Sequence, residues 1–150
     1  NKKYYMFGNC LWLQLSSTHN INQIIYNFHQ LFGTQQHKAH ITLEYNTHLP
    51  KKYELYDFIK KGSVYKTLED GFYALQQDYI SDGFPEKKFH ISLAYKDKDF
   101  TFKEVDFLKS CAIPDFISKD DLSIHLWDCD SKNPKDWKML NNTNTFNKID

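Results

Sequence analysis

The sequence predicts an α+β fold of two similar halves, each a helix packed on antiparallel strands. Three observations predict it. A strand phrase is written twice, as His-Ile-Thr-Leu-Glu-Tyr over 40–45 and His-Ile-Ser-Leu-Ala-Tyr over 90–95. Two stretches carry helix signals, one before the first copy of the phrase and one after the second. The elements run strand, helix, motif strand, hairpin, motif strand, helix, strand pair, with no Gly-, Pro- or Ser-rich linker between the halves. The 150 residues suffice for one domain with a real core, so the halves are read as two lobes of a single domain over 1–150.

Residues 4–15 form an apolar run, read as a strand interrupted near Gly8-Asn9. Ile21, Ile24, Ile25, Phe28, Leu31 and Phe32 recur at helical spacing. Asn20 with Gln23 resembles a capping box, and Gly33 is a stop signal. The first motif strand follows. A turn at Pro50-Lys51-Lys52 leads into 53–61, a short helix or a strand. Residues 64–69 and 72–80 read as a hairpin around Asp70-Gly71, a favoured turn pair. The loop 82–85 precedes the second motif strand. Thr101 with Glu104 is a capping box, and Phe100 with Val105 a hydrophobic staple, for a helix to about Cys111. Residues 122–129 form a strand, with 137–140 pairing back across Asn133-Pro134. The tail after Asn141, which carries an isolated Asn-x-Thr sequon, is polar and loose.

Composition narrows the function. The formal net charge is zero, and all 19 basic residues are lysines. A neutral chain does not hold a long polyanion by its overall field; a short nucleotide in a local site fits better. With no arginine, any phosphate must be met by Lys, hydroxyls, His or backbone N–H groups, without guanidinium forks. Cys10, Cys111 and Cys129 make an odd, irregular set, which argues for a reducing compartment and against a disulfide framework. No membrane span or signal peptide is seen, so a cytoplasmic, membrane-free monomer is expected. The Lys, Asn, Tyr, Ile and Phe content suits an A/T-rich coding sequence. A start at Asn1 suggests a piece excised from a larger polyprotein.

The duplicated phrase carries the chemistry. Strand side chains alternate between faces, which puts His40 with Thr42, and His90 with Ser92, on polar faces. Ile41, Leu43 and Tyr45, and Ile91, Leu93 and Tyr95, then face the core. Two such strands around a groove give two imidazoles and two hydroxyls. Histidine titrates near neutral pH and serves as general acid or base. The hydroxyls donate to non-bridging phosphate oxygens, where charge builds in the transition state. This arrangement needs no metal and no cofactor. Lys38 and Lys88, each two residues before its histidine, are candidate groove-edge charges for substrate, against the plainer reading of solvated strand-start lysines. His125 is read as structural, and His19, His29, His37 and His48 as solvated. Phe7, Trp12, Tyr79, Phe84 and Trp127 are candidate base-stacking aromatics.

Two His-x-(Thr/Ser) motifs that share an Ile-(Thr/Ser)-Leu-x-Tyr continuation resemble the signature of the 2H phosphoesterase superfamily. The resemblance implies a bilobal fold of pseudo-symmetric antiparallel sheets with flanking helices around a central groove. It makes His40, Thr42, His90 and Ser92 the catalytic quartet. The fifty residues between the histidines make the central insert compact. The small chain is most similar to the viral 2′,5′-phosphodiesterases of coronavirus, torovirus and rotavirus type. That similarity implies cleavage of 2′,5′-oligoadenylate in the host cytoplasm, against the 2-5A/RNase L antiviral pathway. A 2′,3′-cyclic nucleotide phosphodiesterase of RNA repair stands as the alternative. A non-catalytic RNA- or protein-binding module and a zinc enzyme using His40, His90 and an acidic third ligand are further readings, the last without supporting ligand spacing.

Overall fold

The computed structural model describes residues 8–47, 54–69, 71–131 and 133–140. Outside them lie Phe7, His48, the Pro50 turn, Tyr53, Asp70 and the tail after Asn141. The chain is α+β, with two four-stranded antiparallel sheets and two α-helices among the described residues. The first sheet has β1 (Asn9–Leu15) between β2 (His40–Glu44) and β7 (Leu122–Asp128), with β8 (Lys138–Met139) beyond β7. The second runs β5 (Phe89–Lys96), β4 (Phe72–Ile80), β3 (Phe58–Glu69) and β6 (Phe116–Ile117). The helices are α1 (Asn20–Phe32) and α2 (Phe102–Ser110). Among the described residues, no helix is long and apolar enough to cross a membrane.

The apolar stripe of α1 buries Ile21, Ile24, Ile25 and Phe28, and Gly33 closes the helix in the left-handed conformation at φ 69°. Its cap differs from expectation. His19 is the N-cap, its Nδ1 accepting from the Ile21 N–H at 3.1 Å, while Gln23 donates to Asn27 instead of reaching back. In α2 the capping box forms as expected: Glu104 N–H donates to Thr101 Oγ1 and Thr101 N–H to Glu104 Oε1. The helices touch through Phe28, Phe32 and Phe107. One core therefore draws on both helices and both sheets.

Residues 58–69 form one long strand, where a short element and a hairpin arm were expected. Lys61 faces Asp78 and Tyr65 faces Gln76, so three residues of β3 stand against Gln77. Gly62, at φ 70°, absorbs the excess. The buried Gln77 amide donates to the Lys61 and Gly62 carbonyls that the bulge frees. The two-residue strand β6 was not foreseen; it pairs with the start of β3.

The two motif strands are the edges of their sheets, β2 of one and β5 of the other, and they lie against each other. The groove is the seam between those edges.

Candidate active site

Both motif strands carry a bulge at the same place. On β2, Trp12 faces Thr42 while Leu11 faces Glu44, leaving Leu43 as the extra residue. On β5, Gln76 faces Ser92 while Leu75 faces Ala94, leaving Leu93 extra. Up to Thr42 and Ser92 the alternation runs as the sequence suggests, with Ile41 and Ile91 in the core. Beyond the bulge the faces exchange. Leu43 and Leu93 stay in the core, and Tyr45 and Tyr95 swing to the polar side. Their expected core position is thus corrected: a regular period of two does not survive one inserted residue.

His40, Thr42, Tyr45, His90, Ser92 and Tyr95 line one cavity of ≈ 80 Å³, with Trp12 and Trp137 among its walls. It is the size of a phosphoryl group and too small for a nucleoside. A wider cavity of ≈ 440 Å³ continues from it past Thr42, Tyr45 and His90 to Lys87 and Lys88.

The two imidazoles sit in different surroundings. His40 is buried, and its ring lies flat on Trp12, with centroids 3.4 Å apart and planes 9° from parallel. Its Nδ1–H donates to the Lys38 carbonyl at 2.8 Å, which leaves Nε2 as the acceptor. Burial pushes its pKa down to about 3. His90 is more open. Burial pulls its pKa down too, but Asp78, its register partner on β4, pulls the other way. Asp78 accepts from Tyr65 Oη at 2.6 Å and lies 3.5 Å from Lys88 Nζ.

The other expected residues are placed as follows. Lys38 precedes β2 and turns to a separate cavity with Gln14, Asn22 and Gln36; it serves His40 through its carbonyl. Lys88 precedes β5, lines the wider cavity and faces Asp78. His37 is not solvated: its Nε2–H donates to the Ser92 carbonyl at 2.8 Å and its ring meets Tyr95 edge-on. It pins the approach to β2 onto β5. His29 donates to the Thr34 carbonyl, and His19 caps α1, so neither is a mere surface residue. His125 pairs with Ser123 Oγ at 2.8 Å.

Of the stacking candidates, Tyr79 is fully buried and donates to the Pro114 carbonyl, and Phe84 packs on Tyr56 and Phe89. Trp12 stands between His40 and Trp127, so neither of its faces is open to a base. Trp137, which the sequence reading did not single out, lines the cavity edge-on to Trp12 and Tyr95. No disulfide joins Cys10, Cys111 or Cys129, and the buried Cys10 and Cys129 thiols lie together at the cavity wall. Among the described residues, no three His, Cys, Asp or Glu side chains are grouped to hold a metal ion.

No family model, no curated protein and no solved structure matches this chain.

Proposed function

We propose that this chain is a metal-independent phosphodiesterase of the 2H type, acting on 2′-linked phosphoesters. The observation that carries the reading is the convergence of both imidazoles and both motif hydroxyls on one phosphate-sized cavity. Composition alone does not require that meeting of two distant strands.

We infer their roles from their neighbours: the Nδ1–H of His40 is tied to the Lys38 carbonyl, which leaves Nε2 as an acceptor, while Asp78 beside His90 opposes the lowering of its pKa by burial. His40 stays neutral and offers Nε2 as the base. It takes the proton of the attacking oxygen, either water or a vicinal 3′-hydroxyl, as the new P–O bond forms. His90, with Asp78 favouring its charged form, gives a proton to the departing oxygen as the old P–O bond breaks. Thr42 and Ser92 donate to the non-bridging oxygens. The wider cavity toward Lys87 and Lys88 takes a nucleoside with its flanking phosphate.

Within this class the preferred substrate is 2′,5′-oligoadenylate. A neutral, arginine-free chain with a compact insert suits a short oligonucleotide, and the viral resemblance of the two motifs supplies the rest. The test offers the protein trimeric 2′,5′-oligoadenylate, its 3′,5′ isomer and a 2′,3′-cyclic nucleotide, with and without EDTA. Cleavage of the 2′,5′ trimer alone, undiminished by EDTA, is expected. An intact trimer beside rapid opening of the cyclic nucleotide would move the protein to RNA repair. Loss of activity in EDTA would favour the zinc reading.

A further inference from the structure

A further cavity, of ≈ 390 Å³, has Gln14, Ser17, Tyr26, Gln36, His37 and Lys38 among its walls. It adjoins the phosphate-sized one. Gln14 is the cross-strand partner of His40, so their Cβ atoms stand about 5 Å apart on one face of the sheet. His37 lines it too, and its Nε2–H reaches the carbonyl of Ser92 in the wall of the smaller cavity. The walls are rich in carboxamides and hydroxyls, with no carboxylate among the described lining residues. Asn22 and Gln23, which also line it, are already engaged, Asn22 with the Ser16 carbonyl and the Ala39 N–H, Gln23 with Asn27. Gln14 is different: its Oε1 is buried without a hydrogen-bond partner. A carboxamide left in that state costs stability until an occupant engages it. Tyr26, 44% exposed, adds an aromatic ring to the wall, whereas Trp12 has both faces covered.

We propose that this cavity reads the nucleobase of the nucleoside on the His40 side of the scissile phosphate, with the Gln14 carboxamide selecting adenine and the Tyr26 ring stacking on it. The inference rests on the phosphodiesterase reading above for the place of the phosphate, and it names the base that a second subsite takes. A carboxamide presents a donor and an acceptor side by side, and it turns over in place to suit its partner. Adenine offers an N6–H donor beside the N7 acceptor, the edge that a glutamine meets with two hydrogen bonds. Hypoxanthine puts a carbonyl where the amino group was, so one of the two bonds is lost and two acceptors oppose each other. Lys38 supplies an ammonium group at the same cavity, two residues before His40. A lysine with no carboxylate beside it suits a neutral base with a phosphate close by. His40 takes the proton of the attacking oxygen. Where that oxygen is the vicinal 3′-hydroxyl, its own nucleoside reaches His40, and the adjoining cavity receives its base. The Lys87–Lys88 cavity then holds the departing nucleoside, next to His90.

The experiment reads binding, apart from turnover. Adenosine 2′-monophosphate and inosine 2′-monophosphate are titrated into the protein by calorimetry, with inorganic phosphate as the control that lacks a base. The wild-type protein should prefer the adenosine compound by about 10-fold. Gln14→Leu should abolish that preference by weakening the adenosine compound alone. Tyr26→Ala should weaken both nucleotides by about 10-fold and leave phosphate unchanged, because stacking is tolerant of the base. Tyr26 is an exposed helix residue, so its variant carries the test if Gln14→Leu does not fold. Lys88→Ala should leave the preference intact. Equal binding of the two nucleotides by the wild-type protein, a preference that survives Gln14→Leu, or unchanged binding by Tyr26→Ala overturns the base site while the phosphodiesterase reading stands. An adenine preference that Gln14→Leu abolishes, in a protein inert toward every phosphodiester, upholds the base site and overturns the catalytic reading.

Discussion

The His40 and His90 strands share a phrase, a bulge and an edge position, yet they deliver their imidazoles into unlike surroundings. His40 lies under Trp12 with one nitrogen tied to a backbone carbonyl. His90 stands more open, beside a carboxylate that the chain supplies from the neighbouring strand. The repeated strand phrase thus supplies two equivalent imidazoles, and the sheet neighbour differentiates them. At the position across from His40, β1 presents Gln14; across from His90, β4 presents Asp78.

The largest test of that comparison is removal of each ring. His40→Ala and His90→Ala should each lower turnover by about 10²–10⁴-fold. Their pH profiles should differ. A base pushed down to about 3 is in its working form throughout the neutral range. An acid pulled below 6.5 loses its working form as pH rises. So kcat/KM should be highest on the acidic side and fall through a pH below 6.5. The residual activity of the His40 variant should keep that fall and that of the His90 variant should lose it; the reverse would exchange the roles.

Next come the hydroxyls. Thr42→Ala and Ser92→Ala should each cost about 2–4 kcal/mol of transition-state stabilisation at most, read as kcat at saturating substrate. A smaller effect is expected from Asp78→Asn. Asp78 raises the His90 pKa, so its neutralisation should move the alkaline fall in kcat/KM to lower pH and leave the acidic plateau in place. An unmoved profile would remove Asp78 from the account.

The gentlest test reads folding alone. His19, His37, His40, His90 and His125 all have pKa values lowered by burial. Below about 6.5 the unfolded chain takes up protons that the folded chain refuses. Stability should therefore fall as pH drops, by about 1.4 kcal/mol per pH unit for each such proton. Denaturant midpoints at pH 7 and pH 5 measure this, and His40→Gln should flatten the slope.

The meeting of His40, Thr42, His90 and Ser92 at one cavity was legible because duplication turns a common tripeptide into a signal. The helices were legible from the stripe over 21–32 and the Thr101–Glu104 box. Tyr45 and Tyr95 were misplaced by the same alternation that placed the histidines. Neither bulge is marked by glycine, and Leu43 and Leu93 read as ordinary strand residues. The one available signal was the repetition itself, which reaches both tyrosines. His37 was missed because its partner, the Ser92 carbonyl, lies 55 residues away and no local pattern announces it. The fate of Trp12 depended on which aromatics flank it across three strands, a matter of packing and not of periodicity.

The bulges also bear on how the chain behaves toward its own copies. An exposed sheet edge is a template for strand addition and aggregation. β2 and β5 are edges, and they are turned toward each other with their ladders interrupted at Leu43 and Leu93. The opposite edges, β6 and β8, are two residues each. A continuous strand from another molecule meets an interrupted row of donors and acceptors at β2 and at β5. Deleting Leu43 or Leu93 would restore a regular row, so the residues that turn the tyrosines into the groove also interrupt the strand edge.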